Sequence, residues 1–143
     1  MACAKENSFK LFMFDIGLLG AMVNHNPRNI MQCDYGSYKG YFAENYILQE
    51  LYSYGFNQVV TWSGRTSEIE FIVEINGHAI PVEVKSGTNT KAKSLQAYIN
   101  KYDPVYALKF TGNQYGLDRK KKVYNYSLYL VGRILEKGAF FLP

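Results

Sequence analysis

Glu70, Glu83 and Lys85 are the residues of this chain whose types and spacing best suit chemistry at a charged substrate. Glu68-Ile-Glu-Phe-Ile-Val-Glu74 alternates polar and apolar residues with period two, and Ala79-Ile-Pro-Val-Glu-Val-Lys85 does the same. Both runs therefore read as strands. Asn76-Gly77 between them is the preferred pair for a two-residue type I′ turn, whose central residues both need positive φ. That turn predicts a register in which Glu70 faces Glu83 and Glu68 faces Lys85. Alternation then puts Glu70, Glu83 and Lys85 on one face. Two like charges in direct opposition are destabilising, and a divalent cation such as Mg²⁺ or Mn²⁺ would relieve them. Lysine beside such a pair can orient water or stabilise developing negative charge. The bland alternative is a cross-strand ion pair between Lys85 and Glu68, worth about 0–1 kcal/mol if exposed.

Around this hairpin the pattern predicts the elements that must hold it. A short helix begins at a capping Asp15 and ends before the turn-forming Asn24-His-Asn-Pro-Arg28. A long helix over about 38–54 stops at Gly55, a natural residue for the left-handed position after a helix. On it Ile47, Leu48, Leu51 and Tyr54 form one stripe at about 100° per residue, with Glu44 in its middle. A carboxylate there is costly unless something pairs with it. Glu50 lies off the stripe and reads as solvated.

Strands are expected over 58–62 and 105–110, with a short edge strand over 123–126. Helices are expected over about 91–102 and 127–137. The segments 63–67, 86–90 and 112–122 read as loops, the last carrying Arg119-Lys-Lys-Lys122. The order helix, three strands, helix, strand predicts an α/β sandwich with a mixed sheet.

Composition narrows the classes. A chain of 143 residues with 48% hydrophobic content supports one domain with one packed core. Cys3 and Cys33 form no CxxC and have no histidine pair nearby, which argues against zinc and fits a reduced, cytoplasmic protein. No run approaches the ~18 apolar residues of a membrane span, and the start of the chain has no signal-peptide pattern. Thirteen tyrosines against one tryptophan suit amphipathic surfaces or base stacking. A net charge of +4 permits a polyanionic partner. The cluster Arg119, Lys120, Lys121 and Lys122 is either a solvated loop or a phosphate contact weakened by salt. His25 and His78, the only histidines, have no neighbours in sequence that would make either a catalytic base.

The order of Glu44 on a helix, an acid on the second strand and Glu-x-Lys on the third resembles the PD-(D/E)XK nuclease superfamily. Lys10-Leu-Phe-Met-Phe-Asp-Ile-Gly-Leu-Leu, Tyr41-Phe-Ala-Glu-Asn-Tyr, Trp62-Ser-Gly-Arg-Thr-Ser-Glu-Ile-Glu-Phe and Pro81-Val-Glu-Val-Lys-Ser-Gly are similar to the C-terminal domain, of unknown function, of a group of prokaryotic AAA-type ATPases. The likeness spans about residues 10–137. It implies a restriction-endonuclease-like αβββαβ core and a partner ATPase half, for which this sequence has no GxxxxGK[ST] loop. It further implies that Glu70, Glu83 and the Val84 carbonyl would hold Mg²⁺ or Mn²⁺. Glu44 would hold a second metal or a metal-bound water, and Lys85 would assist attack on a nucleic-acid phosphodiester. One departure stands out: the family usually has aspartate where this chain has Glu70. A binding or regulatory module without cleavage is the alternative, with Glu44 as a buried acid paired to Lys85.

Overall fold

The structure is a computed structural model that describes residues 9–32, 34–87, 92–114, 116–118, 120 and 122–136. Its centre is the expected hairpin. Strand β2 spans Glu68–Ile75 and strand β3 spans His78–Lys85. Asn76 and Gly77 turn between them at φ 51° and 77°, the left-handed pair a type I′ turn demands. The ladder runs from Ile75 opposite His78 to Phe71 opposite Val82, in the register the turn predicts.

Strand β1 (Val60–Ser63) pairs antiparallel with β2 on the far side. On the other flank β4 (Ala107–Thr111) lies parallel to β3, β6 (Val123–Ser127) lies parallel to β4, and β5 (Gly116–Asp118) pairs antiparallel with β6. The result is a six-stranded mixed sheet in the order β1-β2-β3-β4-β6-β5. Helices flank it, so the α/β mixed-sheet expectation holds.

The two faces of the sheet differ. One is apolar: Phe71, Val73, Ile80, Val82, Val84, Leu108 and Phe110 are buried against Ile47 and Leu51 of helix α3 (Lys39–Ser53) and against Val131 and Ile134 of helix α5 (Val131–Glu136). The other face packs Ile69 and Ala107 under Leu95 and Tyr98 of helix α4 (Lys93–Tyr102). Toward the C-terminal ends of the parallel strands that second face turns polar. Glu83, Lys109 and Asn125 align in one row across three strands, and Lys85, Thr111 and Ser127 align in the next.

Helix α3 also ties down the N-terminal segment. The buried Asn45 side chain accepts from Met13 N–H at 2.8 Å and donates to Met13 C=O at 2.9 Å. Gln49 Oε1 accepts from Ile16 N–H at 2.9 Å. Helix α1 (Ile16–Met22) is capped by Asp15, whose Oδ1 accepts from Leu18 N–H, as its sequence predicts. The segment 24–28 does more than turn: Pro27 opens a second short helix, α2 (Pro27–Met31), because its fixed φ and missing N–H suit a first helical position.

Other boundaries move. Strands β1 and β4 each start two residues later than the pattern suggests, and the final helix is preceded by a 3-10 turn over Leu128–Leu130. Loop 112–122 contains β5, so β6 is an interior strand and not an edge. Tyr54, placed on the apolar stripe, is exposed. Cys3, Cys33, Lys91 and Lys137 lie outside the described residues. Among those that are described, no helix is long and apolar enough to cross a membrane.

Candidate functional site

The hairpin register breaks at Glu70, and that break makes the site. Strand β1 pairs Val60 with Ile72 and then Trp62 with Ile69, so Thr61 alone faces both Glu70 and Phe71. Two residues against one is a β-bulge, a device that re-aims a side chain and ends regular pairing. The β2–β3 ladder accordingly stops at Phe71–Val82. Past it the Glu70 carboxylate takes the place of a backbone acceptor, with Oε2 receiving the Val84 N–H at 3.2 Å. Because N–H and C=O of one strand residue point the same way, the Val84 carbonyl is directed into the same gap.

Lys85 joins the two acids. Its Nζ donates to Glu70 Oε1 at 3.3 Å and lies 2.6 Å from Glu83 Oε1. Glu83 has no solvent exposure. The 2.6 Å contact with Lys85 is charge-assisted, while Glu83 Oε2 is buried with no hydrogen-bond partner among the described residues. Burial first, and then the Glu70 charge beside it, push the Glu83 carboxyl up to about 7 against the opposing pull of Lys85. Burial alone would lower the Lys85 ammonium, but the two glutamates outweigh it and raise it. The predicted trio is therefore assembled, on different contacts from those expected: Lys85 pairs with Glu70 and Glu83, and Glu68 does not compete for it.

Glu68 is held by Lys10 instead, at 2.7 Å, and Lys10 also reaches Glu44 at 3.6 Å. Lys10 is the residue that the sequence pattern did not single out. It is more than thirty positions from its partners in sequence, and the Asn45 clamp on Met13, with Gln49 on Ile16 and Phe12 on Phe71, brings it there. Glu44 is half-buried, facing inward as its stripe position implies. Burial raises its carboxyl, Lys10 opposes that, and the Glu70 and Glu68 charges add to it. Glu44 thus senses Glu70 and is paired to Lys10, not to Lys85. The four acids and two lysines form one chain of charge, with Glu70 as the link between its halves.

The other candidates fall elsewhere. Arg119 and Lys121 are outside the described residues. Lys122 precedes β6, at the opposite end of the parallel strands from Lys85, and lies 3.8 Å from Asp103 with both side chains exposed. His78 is exposed; His25 stacks on Tyr35 at 5.6 Å, with Nε2 buried and without a partner. Glu50, expected to be solvated, is half-buried, with Oε2 close above Gly132 of α5.

A family described as Domain of unknown function (DUF4143) matches residues 39–129. The chain belongs to that family. The matched span of DUF4143 contains Glu44, Glu70, Glu83 and Lys85, and leaves Lys10 outside. No curated protein and no solved structure matches the chain.

The donors present set what a divalent cation could use here. Among the described residues no three His, Cys, Asp or Glu side chains converge as a ready-made cage. Mg²⁺ commonly needs only one or two carboxylates, with water and phosphate oxygens completing the shell. Glu83, buried, unpartnered at Oε2 and facing a second carboxylate, is the donor that such an ion would satisfy.

Proposed function

We propose that this DUF4143 chain is a nuclease-fold module whose Glu70–Glu83–Lys85 centre acts on phosphodiesters of nucleic acid with Mg²⁺ or Mn²⁺. The observation that supports this best is the fully buried Glu83, set against Glu70 and answered by one lysine. A fold gains no stability from such an arrangement, since desolvating two acids costs more than one ammonium returns. Groups strained in this way are characteristic of sites selected for chemistry.

In this reading Glu70, Glu83 and the Val84 carbonyl would hold the cation, and Glu44, paired to Lys10 here, would be the further carboxylate. The bound cation would lower the pKa of a coordinated water and neutralise phosphoryl charge. The protein groups do the rest. Glu70 stays aimed by the Val84 N–H, Glu83 excludes bulk water from one side, and Lys85 donates hydrogen bonds to the attacking water or to a phosphate oxygen. The PD-(D/E)XK likeness and the αβββαβ order, seen here as α3, β1–β3, α4 and β4, support this reading. The likeness to ATPase C-terminal domains further suggests that the module works beside an AAA-type ATPase.

Incubating the purified chain with single- and double-stranded oligonucleotides, with and without Mg²⁺ or Mn²⁺, tests the proposal. Cation-dependent cleavage that is lost in Lys85→Ala, with the fold intact, is expected. Absence of cleavage on every substrate, with no cation bound, would leave a binding or regulatory module of an ATPase.

A further inference from the structure

The row Glu83–Lys109–Asn125 leads from the acidic centre directly into a cavity. A space of about 470 Å³ opens between α4 and the polar end of the sheet, a size typical of small-ligand sites. Its apolar surfaces come from Leu95 and Ile99 of α4 and Val123 of β6. Its polar groups are Gln96, Asn113, Asn125, Lys109 and the carboxylate of Asp118. Register places Lys109 one strand from Glu83 and Asn125 two strands away, on the same face, so about 10 Å separates the backbones of Glu83 and Asn125.

We infer that this cavity receives a nucleobase of the strand whose phosphate lies at Glu83 and Lys85, an inference that rests on the phosphodiester reading above. An unstacked base needs apolar cover on its faces and donors and acceptors at its edge. The cavity has both. Gln96 donates its Nε2 to Asn100 Oδ1 at 2.8 Å, so its Oε1 takes no part in that bond. Asn125 is fixed by Thr111 and by the Gln114 carbonyl, which holds its amide rigidly in place. A fixed amide discriminates between bases, because a mismatched edge leaves a donor or acceptor without its hydrogen bond. The substrate class implied is single-stranded or locally unpaired nucleic acid, since a base within a duplex cannot enter.

Gly116 gives a clean test. It lines the cavity and pairs with Asn125 across the strands; a Cβ there meets nothing within 4 Å, and its φ lies outside the left-handed region. Gly116→Trp would therefore plug the space without backbone strain. Amide NMR spectra of the full chain would be titrated with AMP, with CMP and with inorganic phosphate. A nucleotide is expected to shift Leu95, Gln96, Lys109 and Asn125, whereas phosphate alone shifts only the surroundings of Lys85. Gly116→Trp should weaken nucleotide binding at least tenfold, and Gln96→Leu, which keeps the volume, about fivefold. Nucleotide shifts confined to those of inorganic phosphate would overturn the inference, as would binding equal in wild type and Gly116→Trp. Cation-dependent cleavage with an unchanged KM in Gly116→Trp would also overturn it while sparing the catalytic reading. Base-dependent binding in the cavity without any cleavage would uphold it and sink the catalytic reading instead.

Discussion

Replacing Glu83 by Gln should make the protein more stable at pH 8 while abolishing its function. The folded-state carboxyl rises from an ordinary 4.5 to about 7, mainly through burial and then through the Glu70 charge. A rise of about two and a half pH units at about 1.4 kcal/mol each is a cost of about 3 kcal/mol for carrying the charge. The residue has no solvent exposure, so screening does not reduce that figure. The sign follows from proton binding. The folded state holds this proton more tightly than the unfolded chain, so the contribution of Glu83 to stability is most favourable below about pH 4.5 and is lost as the pH rises through about 7. Glutamine has the same shape and no charge, and Lys85 keeps its bond to Glu70. Denaturant unfolding of both proteins between pH 4.5 and 8 should show near-equal stability at the acid end. At pH 8 the variant should be ahead by about 1–3 kcal/mol. A variant that is less stable than wild type at pH 8 would refute the reasoning, because Glu83 would then be a net structural support.

Three further outcomes follow from the same charge chain. Lys85→Met removes the cation shared by both acids and should cost about 2 kcal/mol at pH 8 but much less at pH 5.5, where Glu83 takes up a proton; thermal unfolding at the two pH values measures this. Lys10→Met should raise the Glu44 carboxyl further, because Lys10 now opposes its burial, and should cost under about 1 kcal/mol since the pair is partly exposed; side-chain carboxyl NMR titration reads the shift. Asn45→Ala leaves the Met13 N–H and C=O without their partner and should cost about 2–3 kcal/mol, with faster proteolysis of the segment before α1 as its signature.

What was legible in the sequence was whatever depends on near neighbours. Asn76-Gly77 sets the hairpin and its register because a type I′ turn is decided by two residues, and Gly55 ends α3 at φ 89° for a similar reason. The trio Glu70, Glu83 and Lys85 followed from period-two alternation on those strands. What stayed hidden depends on partners distant in the chain. The bulge at Glu70 and Phe71 exists only against β1, and it converts a simple opposed pair into a carboxylate bonded to the Val84 N–H. Lys10 is recruited through Asn45, whose buried amide reads locally as one more polar position on a helix. Strand β5 is three residues long and has no alternation to show; it forms because β6 offers it an unpaired edge.

The central claim, that the carboxylates at the β2 bulge are a divalent-cation site, is tested most directly by titrating Mn²⁺ into the isotopically labelled protein. Paramagnetic broadening should begin at the amides of Glu70, Val84 and Lys85 and disappear in Glu83→Gln. Broadening that spares these amides, or that persists unchanged in the variant, would contradict it.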